Sequence, residues 1–206
     1  MPLLQKIWSV TSKLDDRALL AHMIHERHPG KVIVSASLKA RSVVVLKMVA
    51  EIDPNTPVMF CQPGHEFVDS KSYREEIVGR LGLTDISFTN GRETEVQPGD
   101  HDHLERMWVE NEDSPGQSFV VLHLNKSLEG FDCWISAVNH VERPAEIKHR
   151  VDFDGRLVRV DPVIRWSDDD VRTFMRENNL PYHKRAKRTY PKFRPDDDSD
   201  APWYAY

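Results

Sequence analysis

Residues 31–42 read Lys-Val-Ile-Val-Ser-Ala-Ser-Leu-Lys-Ala-Arg-Ser, and they run directly into an apolar segment from Val43 to Ile52. The run from Lys31 to Ser35 is β-branched and has no polar face, which predicts a buried strand. The segment from Val43 to Ile52 is apolar enough to pack on a sheet as a helix, and Asp53-Pro54-Asn55 ends it. This part of the chain therefore predicts a strand, a loop and a helix.

The same alternation extends in both directions from this unit. Before it, residues 12–28 have apolar side chains at helical spacing, and Gly30 is a stop. After it, strands are predicted at Pro57–Cys61, Ile86–Phe88 and Cys133–Val138, and a hairpin at Val151–Val160 around Asp154-Gly155. Helices are predicted from a capping box at Ser72 to Gly82, at Leu104–Val109 within the polar stretch 90–117, at Phe119–Leu128, and at Val171–Glu177 behind the cap Ser167. This order predicts an α/β fold, a mainly parallel sheet with helices on both faces.

Composition limits the kinds of protein that this chain can be. Its 206 residues are 39% hydrophobic and 30% charged, which is typical of one globular domain, here 1–183, followed by a tail at 184–206. The net charge of −5 argues against a generally basic nucleic-acid coat. No apolar run is long enough to cross a bilayer, and the first residues lack the apolar core of a secretion signal. We expect a cytoplasmic protein without a membrane partner.

The two cysteines and the histidines do not predict a metal or disulfide framework. Cys61 and Cys133 each lie in a strand-like run, where a thiol is usually buried, and their spacing does not suit an iron–sulfur cluster. Residues 100–103, Asp-His-Asp-His, offer metal donors, but a solvated loop explains them better. We expect no metal site.

The loop after the first strand predicts an anion site. A strand-to-helix turn presents backbone N–H groups and the positive end of a helix to a phosphate. The side chains expected to hold the anion are Ser35, Ser37, Lys39, Arg41 and Ser42. The alternative is an ordinary connection with exposed basic residues.

Four segments together resemble one known family. Ser35, Ser37 and Ser42 match the phosphate loop of the phosphoadenosine phosphosulfate reductases and of the wider ATP pyrophosphatase, or adenine nucleotide alpha hydrolase, superfamily. The other matching segments, which follow in the family's order, are Gln62-Pro-Gly-His-Glu-Phe67, Trp134 to Glu142, and Arg159 to Val171 with Asn179-Leu-Pro-Tyr182. The resemblance covers residues 31 to 183 and implies a Rossmann-like fold of the adenine nucleotide alpha hydrolase type.

The resemblance also implies a ligand and further contacts. The ligand is an adenine nucleotide, as substrate or as bound molecule, and the implied contacts to it or to its anion are Gly64, Glu66, Phe67, His140 and Glu142. Glu66 and Phe67 have an alternative role, in which they cap and pack the next helix. Trp134 and Trp166 are more typical of a core than of a ligand platform.

The chain departs from the family at the residues that matter for its chemistry. The reductases use a cysteine near the C-terminus as a sulfur nucleophile, whereas the last cysteine here is Cys133. Leu38 and Lys39 replace a glycine pair, so the loop has either another shape or a gentler bend. Arg41 replaces an aspartate, which removes a candidate magnesium ligand and leaves a role for magnesium open. Gln62 and Asn139 replace an aspartate and an arginine. We expect an anion site that relies on side-chain charge, without thiol-dependent reduction.

The tail has its own charge pattern. Basic residues expected to contact an anion are Lys184, Arg185, Lys187 and Arg188, and aromatic and acidic residues follow them. Such a segment suits a nucleotide or a nucleic-acid strand. A solvated tail whose charges the neighbouring acids neutralise is the equal alternative.

Several functions remain open from the sequence. The leading hypothesis is a nucleotide-binding protein of this family, and if it is an enzyme, a nucleotide-dependent transferase or hydrolase that stabilises charge electrostatically. The alternatives are a non-catalytic module that binds nucleic acid or protein, and an ATP-dependent nucleic-acid-modifying enzyme. No residue stands out as nucleophile or general base. The oligomeric state is not fixed, and a homodimer is compatible with the sequence.

Overall fold

A computed structural model describes residues 2–60, 68–88, 128–136, 149–154 and 156–183. Its helices are α1 (Pro2–Thr11), α2 (Asp16–Ala21), α3 (Ala40–Ile52), α4 (Val68–Leu81) and α5 (Asp168–Glu177). Helix α2 continues as a π-helix over His22–Arg27. The strands are β1 (Val32–Ala36), β2 (Val58–Phe60), β3 (Ile86–Phe88), β4 (Cys133–Ser136), β5 (Val151–Asp154) and β6 (Leu157–Val160).

These strands form one sheet in the order β3-β2-β1-β4-β6-β5. Neighbouring strands are parallel except β5, which pairs antiparallel with β6 through Val151 opposite Val160 and Asp154 opposite Leu157. The predicted hairpin and the predicted mainly parallel α/β sheet are therefore confirmed.

The sheet reverses its direction of growth at β1. From β1 the chain moves to β2 and β3 on one side, and it later returns to place β4 on the other side. Ser35 of β1 and Ser136 of β4 lie opposite each other at the carboxyl ends of the two strands. In open α/β sheets, ligands bind outside the carboxyl ends of the strands at such a reversal.

Two apolar clusters cover the two faces of the sheet. The larger cluster joins alternate strand residues such as Val34 and Val160 to side chains from every described α-helix, among them Val45 and Met175. The smaller cluster, on the opposite face, contains Ile33, Met59, Leu128, Trp134 and Leu157. Outside the described residues lie the predicted helix at 104–109, all but the last residue of the predicted helix Phe119–Leu128, the acidic and histidine-rich segment 100–103 and the tail 184–206.

Several element boundaries differ from the predictions. Helix α1 was not predicted; the indole N–H of Trp8 donates to the carbonyl of Val151 at 2.7 Å and so fixes the helix on β5. Helix α3 begins at Ala40, before Val43, so that three predicted loop residues, Ala40, Arg41 and Ser42, lie in its first turn. The predicted cap at Ser72 is wrong, because α4 already begins at Val68.

Other predicted helix ends are confirmed. Gly30 and Gly82 follow helical segments with φ of 69° and 67°, a conformation that glycine adopts without strain. At the start of α5 the side chain of Ser167 accepts from the Asp170 N–H, and the Asp170 carboxylate accepts from the Ser167 N–H. This capping box places the start of the helix at Asp168.

Candidate functional site

A tight turn connects the carboxyl end of β1 to the start of α3. The backbone N–H of Ser37 donates to the Ser42 hydroxyl oxygen at 3.1 Å, and the two hydroxyl oxygens lie 3.0 Å apart. The N–H of Lys39 donates to the Ser37 hydroxyl oxygen at 3.3 Å. The structure thus brings together three of the predicted anion-binding residues, Ser37, Lys39 and Ser42.

The start of α3 leaves backbone donors available at this turn. Lys39 is the N-cap residue, and its side chain makes no capping hydrogen bond. The N–H of Val43 donates to the Lys39 carbonyl at 3.2 Å, so the N–H groups of Ala40, Arg41 and Ser42 precede the intrahelical ladder. Together with the positive end of the helix dipole and the exposed Lys39 side chain, they suit a phosphate or sulfate group.

The lost glycine pair does not strain the loop. Within the described residues, Asn179 is the one non-glycine residue with a positive φ, and Lys39 has a φ of −72°. Leu38 and Lys39 therefore occupy backbone conformations open to any L-amino acid. The loop turns without a left-handed residue, so its shape does not need the glycine pair.

Ser35 lies in the core beneath the turn. Its hydroxyl oxygen accepts from the indole N–H of Trp134 at 2.7 Å, and Ser35 is 4% exposed. Trp134 is fully buried, as expected of a core residue. The described contact of Ser35 is thus structural, and a direct contact to an anion stays a prediction.

Arg41 is directed to another part of the chain. Its guanidinium donates to the carbonyls of Val163 at 3.2 Å and Trp166 at 2.8 Å, and to the Asp168 carboxylate at 3.1 Å. All the described hydrogen bonds of this guanidinium go to residues 163–168. The structure therefore does not group the Arg41 side chain with the Ser37 and Ser42 hydroxyls.

The remaining predicted contacts lie outside the described residues. They are Gly64, Glu66, Phe67, His140, Glu142, Lys184, Arg185, Lys187 and Arg188. In the chain, residues 61–67 follow β2 and residues 137–148 follow β4. The described strands β2 and β4 end at the same edge of the sheet as β1, where the turn at Ser37 begins.

The sequence did not single out two residues at this edge. Ser136 ends β4 beside Ser35 and is 1% exposed; the rule that ligands bind at strand ends was sufficient to find it. His183 is buried, its Nε2 lies 3.2 Å from the Ser70 hydroxyl oxygen, and its ring packs edge-on to Tyr73. No local pattern points to His183, because these partners lie over a hundred residues earlier in the chain.

Two buried groups are held protonated. Burial, with Glu76 as the next cause, raises the pKa of Tyr73, whose hydroxyl donates to the Pro181 carbonyl at 2.8 Å. Burial, with a smaller effect of Asp132, raises the pKa of Cys133 to about 12. Cys133 is therefore a core thiol and not a nucleophile at neutral pH.

The described residues contain neither a cluster of metal ligands nor a helix that could span a membrane. Over the described ranges, no three His, Cys, Asp or Glu side chains come together as metal ligands. The described helices include none that is both long and apolar enough to cross a membrane.

Comparison with known proteins gives one family. The family model of the phosphoadenosine phosphosulfate reductase domain matches residues 31–192. The adenosine 5'-phosphosulfate reductase 2 of Bacillus subtilis is 26% identical over 186 residues, which are 88% of this chain and 78% of that protein. The phosphoadenosine 5'-phosphosulfate reductase of Alkalilimnicola ehrlichii and the adenosine 5'-phosphosulfate reductase of Mycobacterium tuberculosis are each 26% identical, and this chain covers 65% and 62% of their lengths. These names give no support to the expected transferase.

A solved structure shares the fold. The phosphoadenylyl-sulfate reductase of Candida auris, determined as a phosphate complex, superposes with a TM-score of 0.65. The alignment covers 92% of each chain at 13% sequence identity. This likeness supports the α/β architecture described above.

Proposed function

This chain belongs to the phosphoadenosine phosphosulfate reductase family, and we propose that it binds an adenine nucleotide bearing a phosphate or sulfate group without thiol-dependent reduction. The observation that supports the proposal best is the closed turn at Ser37 and Ser42, which lies at the uncapped start of α3. An anion there accepts from first-turn N–H groups and lies beside the Lys39 ammonium. The adenosine would extend toward the segments after β2 and β4.

The chemistry of Cys133 supports the second part of the proposal, the absence of thiol-dependent reduction. A pKa of about 12 leaves roughly one Cys133 thiol in a hundred thousand ionised at about pH 7. Cys133 also lies within β4, surrounded by the core, so a bound nucleotide does not reach it. Cys61 follows β2 and is the other cysteine of the sequence. The described residues offer no thiolate for attack on a sulfonate.

Isothermal titration calorimetry tests nucleotide binding. The ligands are ATP, adenosine 3',5'-bisphosphate, adenosine 5'-phosphosulfate and phosphoadenosine phosphosulfate. We expect at least one to bind with a Kd of about 1–100 μM, because a charged turn with several donors supplies roughly 5–8 kcal/mol. Absence of binding by all four would overturn the proposal.

A sulfite-release assay tests the absence of reduction. The full chain is incubated with either phosphosulfate nucleotide and with dithiothreitol or reduced thioredoxin, next to an active reductase as the positive control. We expect nucleotide binding without sulfite release. Sulfite release that disappears in Cys61→Ser would show that Cys61 is a nucleophile and that the reductase function is retained.

A second function has support from the position of His183. Its contacts with Ser70 and Tyr73, in the first half of α4, place the end of the described chain at the carboxyl edge of the sheet. The basic residues Lys184, Arg185, Lys187 and Arg188 follow directly, so we propose that they contribute to binding of a polyanion. Deletion of residues 184–206 should abolish a salt-dependent shift on single-stranded RNA, and an equal shift with both proteins would contradict this role.

A further inference from the structure

Arg41 makes a set of hydrogen bonds that its place in α3 does not require. It lies in the first turn of the helix, is 8% exposed, and donates to the carbonyls of Val163 and Trp166 and to Asp168. The helix dipole disfavours a buried cation at a helix N-terminus. The Asp168 carboxylate, itself at the start of α5, offsets that cost. The arrangement joins the starts of two helices.

Residues 163–168, which accept the hydrogen bonds of Arg41, are also held in place by other contacts. The indole N–H of Trp166 donates to Asp16 at 2.7 Å, and the Trp166 N–H donates to the Val163 carbonyl at 3.0 Å. Asp16 also pairs with Arg150, which donates to the carbonyls of Thr11 at 2.9 Å and Leu14 at 2.6 Å. The turn at 163–168 is thus anchored on the other side to the connection between α1 and α2.

The turn at Ser37 and Ser42 has fewer restraints than residues 163–168 have. No side chain caps α3 at Lys39, and the turn is held to the helix through the Ser37 and Ser42 contacts. Movement of the first turn of α3 therefore carries the Ser37 N–H and hydroxyl with it. Arg41 links this first turn to the anchored residues 163–168 through three hydrogen bonds.

We propose that Arg41 is a positioning residue of the nucleotide site, which fixes the turn at Ser37 and Ser42 by holding the first turn of α3 to residues 163–168. The inference rests on the proposed nucleotide binding at this turn. It requires the planar, forked guanidinium, because lysine keeps the charge but has no fixed geometry for several acceptors. If only the positive charge mattered, Arg41→Lys would bind nucleotide as the wild type does. If the geometry of the guanidinium matters, Arg41→Lys binds nucleotide more weakly.

The first test compares Arg41→Lys and Arg41→Gln with the wild type by calorimetry. The probe is adenosine 3',5'-bisphosphate, and the temperature is one at which each variant is folded by circular dichroism. We expect both variants to bind about tenfold more weakly or worse, equivalent to about 1.4 kcal/mol. The matched control is Arg172→Lys, since Arg172 is an exposed arginine of α5 that pairs with the neighbouring Asp169. It should bind as the wild type does.

The outcomes separate the two proposals. Wild-type affinity in Arg41→Lys overturns the positioning role, whether or not Arg41→Gln binds. Absence of binding by the wild type contradicts the proposed function instead. If Arg41→Lys does not fold, Asp168→Asn, which weakens one of the three bonds, should reduce the affinity about threefold. An unchanged affinity in that variant overturns the role as well.

A second measurement needs no ligand. In the ligand-free protein, the hydrogen-bonded amides at this turn are those of Ser37, Lys39 and Val43, which donate to the Ser42 hydroxyl, the Ser37 hydroxyl and the Lys39 carbonyl. Their hydrogen exchange should be about tenfold faster in Arg41→Lys than in the wild type, because the first turn of α3 is released. Exchange at residues 163–168 should change little, since Trp166 and Asp16 still anchor them. Unchanged exchange at these three amides overturns the proposal even if no nucleotide binds.

Discussion

The hydroxyl oxygens of Ser37 and Ser42 lie 3.0 Å apart, and the Ser42 oxygen also accepts from the Ser37 backbone N–H. These two contacts close the connection between β1 and α3 without a glycine in the loop. They hold the turn against the first turn of the helix, where backbone N–H groups are available to an anion. Nucleotide binding at this turn should therefore depend on Ser42 more than on the basic side chains of the loop.

Substitution of Ser42 by alanine should open this turn. It removes the acceptor of the Ser37 N–H and the partner of the Ser37 hydroxyl, so nucleotide affinity should fall about fivefold to tenfold, equivalent to about 1–1.4 kcal/mol. Calorimetry measures the change. Ser87→Ala on β3 is the control, since the one contact of that hydroxyl among the described residues is a long one, 3.4 Å to the Val58 carbonyl. Equal affinity of both variants would contradict the role of Ser42.

Ser35 should act on stability. In Ser35→Ala the indole N–H of the fully buried Trp134 loses its acceptor, which costs about 1–3 kcal/mol of the free energy of unfolding. Urea denaturation followed by tryptophan fluorescence measures this loss. An unchanged free energy of unfolding together with a loss of nucleotide affinity would contradict this role and would indicate that Ser35 contacts the ligand.

The thiol of Cys133 should be unreactive in the folded protein. With a pKa of about 12, roughly one thiol in ten thousand is ionised at about pH 8, and the core shields it from reagents. In Cys61→Ser, a disulfide reagent should label Cys133 at the rate of unfolding and become fast only in denaturant. Rapid labelling without denaturant would show an accessible thiolate and would weaken the argument against reductive chemistry.

His28 should make stability depend on pH. Burial, followed by the effect of Arg27, lowers its pKa from the ordinary value of 6.5, and its Nε2 makes no hydrogen bond among the described residues. The unfolded chain therefore binds this proton more readily than the folded chain does. The contribution of neutral His28 to the free energy of unfolding is fully present above pH 6.5 and is lost as the pH falls below that value.

Urea unfolding at about pH 8 and about pH 5.5 tests this dependence. His28→Gln cannot titrate and should lose less stability on acidification than the wild type does. His25→Gln, at an exposed position nearby, should behave as the wild type. An identical pH dependence in His28→Gln and wild type would contradict the role of His28.

Local patterns in the sequence were sufficient for much of the fold. The strand Ile86–Phe88 has the predicted bounds, the hairpin around residue 155 forms, and Ser167 caps α5. Each depends on neighbouring residues: a short apolar run, a turn dipeptide, and a serine followed by acids. The parallel order follows because helices alternate with strands.

Contacts between residues that lie far apart in the chain could not be predicted from local sequence patterns. Arg41 resembled an anion-binding residue because it lies in a basic loop, yet its partners lie over 120 residues later. Helix α1 escaped prediction for a related reason, since Trp8 is held by Val151. Helix α4 also begins at Val68, ahead of the local capping pattern at Ser72.

The most direct measurement of the central claim is the backbone amide NMR spectrum of the full chain during titration with adenosine 3',5'-bisphosphate. We predict that the amides of Ser37, Lys39, Ala40 and Ser42 show the largest saturable shifts, and that these shifts weaken in Ser42→Ala. Saturable shifts confined to other parts of the chain, with the amides of residues 37–42 unchanged, would contradict nucleotide binding at this turn.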